Sequence, residues 1–373
     1  MKRFFALILL FVLACSFSAC GPVDSPSTSD SDASAQISDT DSESVTDTES
    51  DASTSEEEAW EPIHVVDNLF LAGDQYNQDV LVYDLDQLSP GDNLDSAVIW
   101  SHHVGISHIA GLKYRKNTVF GDVILVAAGA NNGKAQMISY PEGKVLWSTN
   151  AAGNNPHCIE ILPSGNIVVA SSTGSTLRLF KTAALLTGDT KTAATYTDTA
   201  LTGAHGVLYD PEYKVLWGLG GYILSGFEIS GTGVDEALVK NQDKTVALPT
   251  SERSGHALAA DLTDSAYLFV SVNTGAFRFH KDTMTFDGTY DGSKKVNRAT
   301  VKGLAHNQNG NFCLAVPNGG KGSAWEKMGY GGWCTDTLIF CSYKEKGKMT
   351  SQLYKSAKQS AFYKVVAFCG DYQ

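Results

Sequence analysis

From Trp60 onward the apolar residues fall into short runs, mostly four to six residues long, separated by Gly, Asn, Asp or Ser. Asn68 to Gly73, Asp79 to Tyr83, Ala97 to Trp100, Val123 to Val126 and Ile167 to Ala170 are examples. No long stretch repeats apolar positions at the helical period. The pattern predicts short antiparallel strands joined by tight turns, and an all-β domain.

The runs repeat. His157-Cys-Ile-Glu-Ile-Leu-Pro-Ser-Gly-Asn-Ile-Val-Val reads as strand, turn, strand. The segments opening at His205 and His256 have the same form and nearly the same length, and His108 opens a related one with a longer turn. The segment at Lys302 also matches, with lysine in the histidine slot. These five anchors are spaced 46 to 51 residues apart, a period that suits one four-stranded propeller blade. A sixth blade is then composite. Its outer three strands start near Leu69, Asp79 and Ala97, and its innermost strand is Phe362 to Phe368. Pairing the two ends of the domain in this way closes the ring and removes sheet edges. The expected fold is therefore a six-bladed β-propeller over 60–373. The blade anchored at Lys302 carries an insertion, Gly319 to Asp336, rich in glycine and aromatics.

In a propeller, the start of each innermost strand and the turns between second and third strands open on one face. His108, His157, His205, His256 and Lys302 are thus expected to line a central mouth. Asp74, Gln75, Asn131 and Asn273 are expected beside them as ligand-binding groups. A concave mouth with converging polar groups is the default ligand site. Two readings of the histidines stand side by side. They form a functional ring, or they are structural, as in WD-repeat propellers, where such a histidine bonds an aspartate in the second-to-third turn. In the four histidine-anchored blades those turns contain no Asp. His102 and His103 are expected in a loop before His108, and His306 inside a strand as a satisfied histidine. The aromatic insertion can either stack on sugar rings or fold over as a cover.

The chain start has another character. Lys2 and Arg3 precede an apolar run from Phe4 to Ala14, and Phe17-Ser18-Ala19 leads into Cys20. The run is short for a permanent membrane helix. Residues 21–58 hold twelve acidic residues, eleven Ser and five Thr, with no Lys, Arg or aromatic residue. Such a segment cannot bury enough surface to order itself, and predicts an extended tether over 20–59. The formal charge of −13 resides almost wholly there. An acidic chain of this kind argues against a nucleic-acid partner. There is no nucleophile elbow, P-loop or dinucleotide fingerprint. Seven cysteines in 373 residues are too few for a disulfide scaffold. Cys313 and Cys341 fall on adjacent strands where a cross-strand disulfide can form, with Cys334 and Cys369 as alternatives.

Three resemblances follow from these residues. The segment ending at Cys20 resembles the lipobox of bacterial lipoproteins, with Phe17 where that family usually has an aliphatic residue. The resemblance implies a signal peptide over 1–19, cleavage before Cys20, lipidation of its thiol, and attachment to a bacterial membrane facing outside the cytoplasm. The Pro-His-Cys, Ala-His-Gly and Gly-His-Ala anchors resemble an uncharacterised family of six-bladed propellers of secreted bacterial proteins. The histidine ring is distantly similar to that of oligogalacturonate lyases, which are seven-bladed. That resemblance implies an extracellular glycan ligand and a divalent metal on His157, His205 and His256. It also implies His108 as base and Lys302 stabilising negative charge. The competing expectation is a non-enzymatic scaffold for protein or cell-wall material.

Overall fold

The computed structural model describes residues 68–129, 132–252, 254–345 and 347–372. The expected leader, Cys20 and the tether lie outside them. Six four-stranded antiparallel sheets form six blades. Blade 1 is the composite one, ordered Phe362–Ala367, Leu69–Asp74, Asp79–Asp84, Val98–His103 from the inside outward. Blades 2 to 6 run in chain order, with innermost strands Ile109–Thr118, Pro156–Ile161, Gly206–Asp210, Ala257–Ala260 and Gly303–His306. Each innermost strand packs against those of its two neighbours, and Phe362–Ala367 contacts those of blades 2 and 6, so the ring is closed.

The core is divided into six wedges, one between each pair of adjacent blades. Phe70 and Tyr83 of blade 1 pack with Cys313 and Phe340 of blade 6. Leu71 and Val82 of blade 1 pack with Leu112 and Ile124 of blade 2, and the pattern continues around the ring. A middle strand therefore faces a wedge on both sides. This is why Ile167–Ser171 and Val123–Ala128 are buried at every position and read as continuous apolar runs rather than as alternating ones. Near the axis the backbones approach closely. A Cβ on Gly111 would lie 2.9 Å from Cys158 Cα, and one on Gly303 would lie 2.6 Å from Val365 N.

The Gly319–Asp336 insertion folds over as a cover. Trp325, Tyr330 and Cys334 are buried against Ala110, Ala361 and Tyr363, and Thr335 forms a bridge with Phe362. At the opposite end of the innermost strands the segment after Ala367 packs across blades 2 and 3. Arg115 donates to the Asp371 carbonyl at 2.9 Å and lies over the Tyr372 ring, and the Tyr372 hydroxyl donates to Ile161 O at 2.8 Å.

Two sequence expectations are corrected. Cys313 lies opposite Phe340 and Cys341 opposite Phe312, so the two thiols face opposite sides of the sheet. They belong to different core wedges and cannot bond. Cys158, Cys313, Cys334, Cys341 and Cys369 are all free thiols. His102 and His103 end the outermost strand of blade 1 rather than lying in a loop. His103 pairs with Asp79 at 2.8 Å and His102 stacks on Trp100.

Candidate functional site at the propeller mouth

The anchor residues occupy one structural slot. The backbone N–H groups of His205, His256 and Lys302 donate to Leu219, Ser271 and Ala315, each near the end of its blade's second strand. The blade period therefore brings their side chains to one face. His157 and His205 stack with ring centroids 4.2 Å apart and planes 26° from parallel, and His256 meets His205 edge-on at 5.7 Å. His108 stands apart from this stack. It has φ of +60°, uncommon for a residue with a side chain, and its ring packs edge-on against Tyr330 of the cover.

Each ring has neighbours that hold it. The Tyr363 hydroxyl lies 3.2 Å from Nδ1 of His157, and Gly203 O lies 2.7 Å from Nδ1 of His205. Nε2 of His256 is contacted by Asn273 Oδ1 at 2.6 Å and by Lys302 Nζ at 2.7 Å. Asn273 thus stands in the second-to-third turn where WD-repeat propellers have aspartate. Below, Lys364 is buried and donates to His256 O and Lys302 O. No carboxylate among the described residues acts on these groups, and burial dominates their titration. It holds His157 well below the ordinary imidazole range, His256 down to about 3 and His108 below 6.5. Lysines 302 and 364 are pushed down to about 8 and about 7.

A cavity of about 430 Å³ opens over one side of this arrangement, lined by Gln75, His108, Ala110, Asn155, His157, Thr173, Trp333 and Tyr363. His205 and His256 line a smaller crevice deeper along the axis, beside Lys364. Gln75 is fixed at both ends, donating to Ile109 O and accepting from the Trp333 indole. Asp74 is buried and does not reach this cavity. It accepts from the backbone N–H groups of Tyr76, Asn77 and Ala361. Asn131 lies outside the described residues. Among the described residues no three His, Cys, Asp or Glu side chains are grouped to hold a metal ion. As arranged, the imidazoles stack and bond to neighbours instead of converging on one point.

Sequence reasoning missed Tyr363 and Lys364. They lie on the innermost strand of the composite blade, which has no histidine to mark its slot. Aligning Phe362-Tyr-Lys-Val-Val with the other innermost strands would have placed both at the mouth. His306 is where it was expected. It is buried, and its Nδ1 accepts from Leu262 N at 3.1 Å.

A model of a family of unknown function (DUF6528) matches residues 46–314. The chain belongs to the DUF6528 family. The match spans the outer three strands of blade 1, blades 2 to 5, and the first two strands of blade 6 as far as Leu314. A comparison with curated proteins gives no match. Among solved structures, a protein of unknown function from Bacteroides caccae aligns at 14% identity, over 81% of this chain and 98% of that one, with a TM-score of 0.51. A functionally unknown protein from Desulfotomaculum acetoxidans aligns at 12% identity, over 78% and 99%, with a TM-score of 0.44. The first of these likenesses supports the fold of this family member and carries no function.

Proposed function

We propose that the protein is an exported lipoprotein, anchored through Cys20, whose mouth cavity binds an uncharged unit of an extracellular carbohydrate. The observation that carries the binding reading is the lining of the 430 Å³ cavity. It offers amides, hydroxyls and imidazoles held neutral by burial, with the Trp333 indole beside them, and among the described residues its lining holds no carboxylate or ammonium group. Neutral donors and acceptors suit sugar hydroxyls, and an aromatic face suits the apolar side of a pyranose ring. Lyase chemistry on a uronate is less well supported. His108 lines the cavity, whereas Lys302, the group assigned to negative charge, does not.

The test is calorimetric titration of the purified protein with neutral oligosaccharides and with uronate oligomers, beside Trp333→Ala and His157→Ala variants checked for folding by circular dichroism. Saturable binding of a neutral glycan, lost in both variants, supports the reading. Binding confined to uronates, or accompanied by their cleavage, overturns it. The anchor is tested separately: intact mass of membrane-extracted protein should carry a diacylglycerol adduct that Cys20→Ser lacks.

A further inference from the structure

A second cavity, of about 440 Å³, opens on the flank of blade 1 that faces blade 6, and it shares no lining residue with the mouth cavity. The third and fourth strands of the blade line it, together with the end of the second, Asp95 and the segment leading into Phe362. Three carboxylates border it, those of Asp74, Asp79 and Asp95, against one lysine, Lys358. Two of the acids are pinned by backbone groups. Asp74 accepts from Tyr76, Asn77 and Ala361, and Asp95 accepts from Ala357 and Lys358. Asp79 holds one oxygen against His103. Such bonds fix the carboxylates in place and leave the excess of negative charge standing.

The decisive feature is Tyr83. Its side chain is wholly buried, it lines this cavity, and its hydroxyl has no hydrogen-bond partner among the described residues. A buried hydroxyl without a partner is costly and uncommon, and it marks a place where a bound group completes the set. Burial first, and then the charges of Asp74, Asp95 and Asp79, hold this phenol well above its ordinary range, so it remains a neutral hydroxyl.

We propose that this cavity binds a small organic cation through a primary ammonium group, which donates to the Tyr83 hydroxyl and to the Asp79 carboxylate. An ammonium offers three donors to a wall of acceptors and balances the charge. The volume exceeds what a bare ion fills. Among the described residues the acids are not grouped tightly enough to chelate a metal.

The test is calorimetric titration of the purified protein with D-glucosamine and with L-lysine amide. N-acetylglucosamine, which lacks the ammonium, and calcium chloride are run beside them. Each titration is repeated in Trp333→Ala, so that sugar binding at the mouth is separated from binding here. The expected result is saturable binding of one or both amines, retained in Trp333→Ala. It should be weakened about tenfold or more in Tyr83→Phe and in Asp79→Asn. Tyr83→Phe keeps the core volume and Asp79 is partly exposed, so both variants should fold. The tighter of the two amines identifies the source as a sugar or an amino acid. Equal binding of N-acetylglucosamine in Trp333→Ala, amine binding unchanged in both variants, no amine binding, or calcium bound in place of the amines would each overturn the proposal.

Discussion

Nζ of Lys302 lies 2.7 Å from Nε2 of His256, and no carboxylate among the described residues shifts the titration of either. The same nitrogen is contacted by Asn273. Burial is the larger reason that His256 titrates low, and the lysine charge is the next. Replacing Lys302 with Met removes the second cause and leaves the first. The His256 midpoint in Lys302→Met should rise from about 3 yet stay below 6.5, followed by NMR of the ring protons. An unchanged midpoint would mean that the amine carries no charge at the ring.

Acid should destabilise the protein well before its carboxylates are titrated. The pKa values of His157, His256 and His306 are all lowered in the folded state, the last two to about 3 and about 4. Between pH 6.5 and 4 the unfolded chain therefore takes up protons that the folded chain refuses, and stability falls as pH falls. Thermal melts across this range should show a declining midpoint, with a shallower decline in His157→Gln. A flat profile would contradict the buried neutral imidazoles.

On the alkaline side the sign is the same, and the groups are lysines. Lys364 and Lys302 are pushed down to about 7 and about 8, against 10.5 in an unfolded chain. From pH 7 to about 9.5 the unfolded state binds more protons, so stability should rise with pH. Lys364→Met should flatten that rise in the same melting experiment.

Much of this was legible because a propeller repeats its constraints. Five anchors at a steady spacing located five innermost strands, and the apolar runs located the strands paired with them. The composite blade was legible because Phe362 to Phe368 had no other partner. Contacts made across the ring were less so. The Cys313 and Cys341 thiols were paired by strand adjacency alone, but side chains alternate faces along a strand, and the register puts these two on opposite sides. The cover was ambiguous because Trp325 and Trp333 look alike in sequence. One is buried under glycine-rich turns, while the other is half-buried and donates its indole N–H to Gln75. Nothing local distinguishes them.

The end of the innermost strands away from the mouth holds a buried ion pair. Glu160 accepts from Arg115 Nε and Nη2 at 2.9 and 2.7 Å, with Lys113 at 3.6 Å. Glu160→Gln would leave those cations buried without their anion, at a cost of about 3–5 kcal/mol. Urea unfolding should show the loss as a lower midpoint with an unchanged slope.

Close packing at the axis gives a further check. A methyl group on Gly303 meets the backbone of Lys364 and Val365. Gly303→Ala should cost about 1–3 kcal/mol. Gly332→Ala in the cover has open space around its Cβ and should be close to neutral in the same denaturation experiment.

Blade 1 takes its second strand from Leu69–Asp74 and its first from Phe362–Ala367. During synthesis the ribosome delivers the outer three strands of this blade long before their inner partner exists. Until then Leu69–Asp74 presents an unpaired inner edge to the surrounding medium. Blades 2 to 5 can each assemble as they emerge, but the ring locks only when Phe362–Ala367 has been made. A nascent chain halted before residue 362 is thus an open, adhesive arc rather than a smaller propeller, and it is the form in which a chaperone would meet this protein.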